Sequence, residues 1–95
     1  MKVNNKKAIY NFKLSHSDSV SQLDAWQEEV KAASWANPNE LKQTFCQASI
    51  LKAGNVIFNI HSGKYRLWTI ISYKLGVVFV KAIGTHKEYE KWDIR

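Results

Sequence analysis

Six residues in the last third of the chain have side chains suited to chemistry on a phosphate: Lys64, Arg66, Lys81, His86, Lys87 and Tyr89. Arginine carries a planar, permanently charged fork that fits two phosphate oxygens, so Arg66 is the candidate clamp. Lys64 and Lys81 add positive potential, and either could exchange a proton if its pKa fell. Lys87 supplies a further cation toward a nucleic-acid backbone. His86 is the natural proton carrier, because imidazole titrates near neutral pH. Tyr89 can stack on a nucleobase or donate a proton to a leaving group, and Trp68 offers a second surface for a base. Plainer uses stand beside these. A histidine just after a strand often serves only local structure, Arg66 and Lys81 could pair with Glu88 or Glu90, and Trp68 could pack in an apolar patch or under a partner.

Metal chemistry finds no support: His16, His61, His86 and Cys46 lack zinc-like spacing, and no nearby carboxylates suggest a two-metal nuclease. No glycine-rich phosphate loop is present. The expectation is a site with no metal and no cofactor.

Strands must bring the polar residues together. Val56 to Ile60, Tyr65 to Tyr73 and Val77 to Ile83 are β-branched and aromatic runs, separated by Ser62-Gly63 and by Lys74-Leu75-Gly76. They predict three antiparallel strands. In the second run the odd positions (Tyr65, Leu67, Thr69, Ile71, Tyr73) form the blander face, and Arg66, Trp68 and Ile70 form the other. In the third, Val78, Val80 and Ala82 are purely apolar, while Lys81 lies with Phe79 and Ile83. Burying Lys81 without a partner costs several kcal/mol, so the apolar set should face the core and Lys81 should share the open face with Arg66. That pairing needs a two- or four-residue connection. Gly76 alone would also suit a three-residue loop with a bulge, which reverses the alternation; the charge argument decides against it. Tyr73 then falls near Val78, and Lys64, Arg66, Lys81, His86 and Tyr89 converge at one end of the sheet.

The first half reads as helical. Asn4 or Asn5 can cap a helix carrying Ala8, Ile9, Phe12 and Leu14, and Ser17 or Ser19 a second with Val20, Leu23, Trp26, Val30 and Ala33 on one stripe to about Trp35. Asn37-Pro38-Asn39 is a break, after which Asn39 starts a short helix with Leu41 and Phe45. The fold expected is α+β: N-terminal helices at about 5–45 packed on a small antiparallel sheet at about 55–84, then a C-terminal tail, 85–95. The helices cover one sheet face, and function can sit on the other. Trp92 and the tail to Arg95 either pack back over the sheet or fray.

Ninety-five residues make one domain, 1–95, and an apolar content of 45% with 23% charged residues is a globular balance. The net charge of +6 is uneven, since residues 50–95 hold eight Lys and Arg against three acids, or +5, leaving +1 for the rest. A basic surface so concentrated favours a polyanion, nucleic acid first, or an acidic protein. A lone cysteine, Cys46, flanked by Phe45 and Ala48, reads as a small buried hydrophobe in a reducing compartment. No window approaches a membrane span, and the N-terminus lacks a signal-peptide core. These features predict a cytoplasmic protein with no membrane partner.

The segments Val56-Ile57-Phe58-Asn59-Ile60, Gly63-Lys64-Tyr65-Arg66-Leu67, Tyr73 and Gly84-Thr85-His86-Lys87-Glu88-Tyr89 resemble the signature of the HigB toxins within the broader RelE-like toxins. Thr-His-x-Glu-Tyr is the most specific piece. A weaker likeness reaches the front of the chain at Leu23, Ala25, Trp26, Trp35 and Phe45. Two positions depart from the pattern: Lys81 stands where many relatives have Arg, losing the bidentate fork, and Ser62-Gly63 replaces a common Gly-Asn. The resemblance implies a RelE-like fold and a cytoplasmic endoribonuclease, an mRNA interferase that cleaves mRNA at the ribosome. It also implies a HigA-like helix-turn-helix antitoxin as partner, with operator DNA reached only through that antitoxin. Metal-free RNA cleavage uses the RNA's 2′-hydroxyl as nucleophile, with Arg66, Lys81, His86 and Tyr89 as candidate catalytic residues and Lys64, Arg66, Trp68 and Lys87 as candidate RNA contacts. A non-catalytic RNA- or ribosome-binding module is the alternative; it would need the cations but not His86.

Overall fold

The computed structural model describes residues 1–94. The elements run β1 (Lys2–Asn4), α1 (Lys6–Ser15), a 3-10 turn (Ser17–Ser19), α2 (Val20–Ala32), α3 (Pro38–Thr44), β2 (Ser49–Ile50), a second 3-10 turn (Lys52–Gly54), β3 (Asn55–Ile60), β4 (Tyr65–Ser72), β5 (Val77–Thr85) and α4 (His86–Glu90). They build a single five-stranded sheet in the order β1-β5-β4-β3-β2, antiparallel except for β1, which runs parallel to β5. The α+β, RelE-like class expected from the sequence is the class observed.

The core lies between one sheet face and the helices. Ile9 and Phe12 of α1, Leu23, Trp26 and Val30 of α2, and Leu41 of α3 pack with Val56, Phe58, Ile60, Tyr65, Leu67, Ile71, Val78 and Val80. The odd positions of β4 are indeed the buried ones, and Leu14 of α1 is not part of the stripe, standing 69% exposed. Trp26 and Phe45 both meet the Phe58 ring edge-on, at 5.3 and 5.0 Å between centroids, the geometry aromatic quadrupoles favour.

Several local expectations are corrected. The basic N-terminus forms β1, because pairing Lys2, Val3 and Asn4 with Val77, Val78 and Phe79 buries Val3. Asn5 precedes α1 in the left-handed region (φ 65°) and does not cap it; its amide donates instead to the Val80 carbonyl at 2.9 Å, stitching α1 to β5. Ser19 precedes α2 but does not cap it either, since its hydroxyl donates back to the His16 carbonyl at 2.6 Å. Helix α3 begins one residue earlier than expected: Pro38 occupies the first turn and the Asn37 side chain accepts from the Glu40 amide at 3.0 Å. Cys46 is exposed.

The β4–β5 connection has four residues, one of the two lengths the charge argument allowed, but Ser72 lies opposite Val77 and Ile71 opposite Val78, so Tyr73 falls beyond the end of β4 and not beside Val78 as expected. The alternation nevertheless breaks. Trp68 pairs with Ala82 and Thr69 with Val80, so Lys81 is the extra residue of a β-bulge. Beyond it the faces exchange: Ala82 turns to the far side opposite Trp68, and Ile83 packs against the core opposite Leu67. Lys81 thus stays in solvent through a bulge, while Ala82 and Ile83 swap their expected faces.

Candidate functional site

The far face of the sheet is arranged in cross-strand rows. Asn59, Arg66 and Gly84 form one row, Ile57, Trp68 and Ala82 the next, and Asn55, Ile70 and Phe79 a third. What lies over the first two rows depends on Gly84. A Cβ there would stand 3.1 Å from both Glu88 Cβ and Trp92 Cζ2, so the missing side chain lets α4 dock on the sheet. The helix is started by a capping box, in which the Thr85 hydroxyl accepts from the Glu88 amide and the Glu88 carboxylate accepts from the Thr85 amide. That amide, at 2.9 Å, holds the Glu88 carboxyl below its usual range. The tail expected over 85–95 is therefore ordered helix at its start, and Trp92 packs back over the sheet; Arg95 lies outside the described residues.

Docking of α4 assembles alternating cations and rings. Arg66 lies with its guanidinium carbon 5.4 Å from the centre of the Tyr89 ring, and the His86 ring is 6.2 Å from the same ring. Tyr89 meets Trp92 at a right angle, 5.8 Å between centroids, and Trp92 covers Trp68 at 5.7 Å. Lys81 completes the series with its ammonium 5.7 Å from the centre of the Trp68 ring. The Trp68 indole N–H donates to Asn55 at 2.8 Å, fixing this ring from below. The Arg66 guanidinium also donates to the Gly63 carbonyl. Gly63 has φ 87°, and a Cβ on it would come within 3.1 Å of the Arg66 Nη1.

Electrostatically the site is a cation cluster. Among the described residues neither Arg66 nor Lys81 has a carboxylate within ion-pair distance. Glu88 is used by the helix cap, and the Glu90 carboxylate stands against His86, with Oε1 3.0 Å from Nε2. The pairing of Arg66 or Lys81 with these two acids, one of the plainer readings, does not occur. His86, expected among Lys64, Arg66 and Lys81, has the Glu90 carboxylate as its nearest charged neighbour among the described residues.

Lys64 does not join the cluster. Its ammonium binds Asp18 at 2.6 Å, where the Tyr65 hydroxyl also donates at 2.6 Å. These contacts hold the Asp18 carboxyl down at about 2, and they raise the Lys64 and Tyr65 groups above their ordinary values, the bond to Asp18 being the largest cause in each. A side chain at the start of β4 could reach toward either sheet face, and Asp18, on the turn before α2, draws this one to the helices. Lys87 stands exposed on α4. Trp68 is half-buried, with the Lys81 ammonium and the Trp92 ring both near it.

The structure thus brings Arg66, Trp68, Lys81, His86 and Tyr89 together and adds Gly84, Glu90 and Trp92. The added residues were within reach of the sequence: Thr85-His86-Lys87-Glu88 is a capping box, and a helix begun there puts His86 and Glu90 one turn apart. Chemically, the arrangement joins two cations that have no acidic partner among the described residues, an imidazole beside a carboxylate and aromatic walls, a set able to bind and polarise a phosphate diester. Among the described residues no group of three His, Cys, Asp or Glu could hold a metal ion, and no helix is long and apolar enough to cross a membrane.

A comparison with protein families matches residues 19–92 to the HigB toxin model, described as the RelE-like toxic component of a toxin-antitoxin system. No curated protein matches the chain.

Proposed function

The chain belongs to the HigB toxin family, and from that premise we propose that it is an mRNA-cleaving endoribonuclease of the cytoplasm, acting on mRNA at the ribosome and restrained by a HigA-like helix-turn-helix antitoxin. Operator DNA would be contacted only through the antitoxin. The observation that carries the reading is the cluster itself: Arg66 under Tyr89, Lys81 on Trp68 and His86 beside Tyr89, with no acid on either cation among the described residues.

In the proposed reaction the RNA's 2′-oxygen bonds to the adjacent phosphorus as the bond from phosphorus to the 5′-oxygen breaks, leaving a 2′,3′-cyclic phosphate and a 5′-hydroxyl. The 2′-hydroxyl loses its proton to the protein, and the 5′-oxygen gains one. Arg66 stabilises the charge growing on the phosphate oxygens, an electrostatic role that preorganised donors fill at little reorganisation cost. His86 carries one of the two protons, and Tyr89 or Lys81 the other. Lys87 tracks the RNA backbone, and Lys64, engaged by Asp18, is left out of the contact set.

A second reading, a non-catalytic RNA- or ribosome-binding module, draws on one feature: the His86 Nε2 is already taken by Glu90. Two measurements separate the readings. Expression of the chain alone should arrest growth and co-expression of its antitoxin should relieve the arrest. Purified protein should cut mRNA in a translating extract to give cyclic-phosphate ends. Ribosome binding without any cleavage would hand the case to the second reading.

A further inference from the structure

We propose that Asp18, which lies apart from the cation cluster, is a positioning residue for Arg66: it fastens the turn whose Gly63 carbonyl aims the guanidinium. The turn spans residues 61–64 and joins β3 to β4, with Ile60 paired to Tyr65 at its base. His61, Ser62 and Gly63 stand in succession at φ 56°, 56° and 87°. Residues with a Cβ rarely adopt this left-handed region, and they keep it only where surrounding contacts compel it. One such contact is internal, the Lys64 amide donating to the His61 carbonyl at 3.1 Å. The others converge on Asp18. One carboxylate oxygen accepts from Lys64 Nζ at 2.6 Å and stands 3.9 Å from His61 Nε2, and the other accepts from the Tyr65 hydroxyl at 2.6 Å. Gly63 is thus bracketed on both sides by residues that share one anchor.

The anchor is itself fixed. Asp18 belongs to the 3-10 turn Ser17–Ser19, where Ser19 is buried and both its amide and its hydroxyl donate to the His16 carbonyl, at 2.9 and 2.6 Å. Tyr65 meets the stacked Phe12 and His16 rings edge-on, at 5.1 and 5.2 Å between centroids. The helical layer therefore holds the turn from one face of the sheet, and the turn holds Arg66 on the other. Arg66 depends on the turn in two ways: its guanidinium donates to the Gly63 carbonyl, and a Cβ on Gly63 would stand 3.1 Å from its Nη1. A small rotation of the turn moves both the acceptor and the space that the side chain occupies. A supporting contact of this kind decides how well a charged group meets a reacting phosphate, since a misplacement of about 1 Å can cost ~100-fold in rate. That Arg66 needs this setting to cut RNA rests on the ribonuclease reading; the mechanical link from Asp18 to Arg66 does not.

The test follows the Nε–Hε resonance of Arg66 in the full chain by NMR, beside single-turnover RNA cleavage and far-UV circular dichroism on the same samples. Asp18→Ala removes all three contacts, and with that side chain 40% exposed the fold should persist. The Arg66 resonance should shift and its heteronuclear NOE should fall, while the cleavage rate at saturating protein drops about ten-fold. RNA affinity should hold or rise, because the variant releases the Lys64 charge toward solvent. Asp18→Glu keeps the carboxylate and should restore cleavage to within about three-fold of wild type. Tyr65→Phe removes one of the bonds and keeps the ring; it should shift the same Arg66 resonance by less, and it carries the test if Asp18→Ala does not fold. An Arg66 resonance that stays in place in every folded variant would overturn the proposal. If the resonance moves but the wild-type chain never cuts RNA, the positioning stands and the ribonuclease reading falls. If wild type and Asp18→Ala cut RNA equally well with Arg66 unmoved, the positioning alone falls.

Discussion

Arg66 donates to the Gly63 carbonyl and lies under Tyr89, and neither contact neutralises it, which leaves its charge available to a phosphate. His86 differs, for it already sits on Glu90. The two residues should therefore fail differently. Arg66→Ala is expected to lower cleavage by ~100-fold or more and to weaken ribosome co-sedimentation as well, because it removes both binding and charge stabilisation. His86→Gln is expected to lower cleavage by ~100-fold while leaving co-sedimentation nearly unchanged. Equal cleavage by His86→Gln and the wild-type chain would move both proton transfers to Tyr89 and Lys81. Another residue-scale prediction concerns Asp18, whose carboxyl is held at about 2 against an ordinary 3.8. A depressed folded-state pKa contributes stability above the unfolded value and loses it as pH falls through the folded one. The unfolding midpoint of wild type in urea should exceed that of Asp18→Asn at pH 6. The gap should close between about pH 4 and pH 2, and a constant gap across that window would show that Asp18 acts through packing instead of charge.

Helix α4 is a five-residue element, too short to persist by propensity alone, and it holds Tyr89 and His86 in place through its cap and its seat on Gly84. Thr85→Ala removes the hydroxyl that accepts from the Glu88 amide, at a cost of ~1 kcal/mol. Hydrogen exchange of the α4 amides should rise, and cleavage should fall about five-fold, while the amides of β4 keep their protection. Loss of protection in β4 as well would show that α4 supports the core. This helix also marks how far the sequence could be read. The strand faces of β4, the four-residue connection and the helix stripe of Leu23, Trp26 and Val30 follow from periodicity and from the cost of burying a charge, and all were legible. Strand β1 was not, since three residues carry no period and their order depends on a partner 75 positions away, Lys2 opposite Val77. The bulge at Lys81 was hidden for a related reason: Val80, Ala82 and Ile83 are all apolar, so a change of face leaves no mark in the pattern. Lys64 escaped because its partner, Asp18, is distant in sequence.

For the molecule as a whole, the charge of +6 is concentrated in the half that builds the sheet, and RNA binding should register it. With Arg66, Lys81 and Lys87 as phosphate contacts, the logarithm of the affinity for single-stranded RNA should fall against the logarithm of salt concentration with a slope of about 2, taking ~0.7 per phosphate neutralised. Lys81→Ala should reduce that slope by about 0.7, and an unchanged slope would remove Lys81 from the RNA track. The exposed apolar pair Ile70 and Phe79, 36% and 43% accessible, faces each other across β4 and β5 on the same side as the cations. The pairing of β1 with β5 bears on the toxin's manufacture. A chain is made from its N-terminal side onward, so Lys2, Val3 and Asn4 are synthesised well before their hydrogen-bonding partners Val77, Val78 and Phe79. This edge of the sheet must wait until β5 has been made, and such long-range closure is slow. The cation cluster, drawn from β4, β5 and α4, is likewise translated after the helices that cover the core. Neither that edge nor the cluster can form before β5 has been made, a sequence of assembly built into the order of its strands.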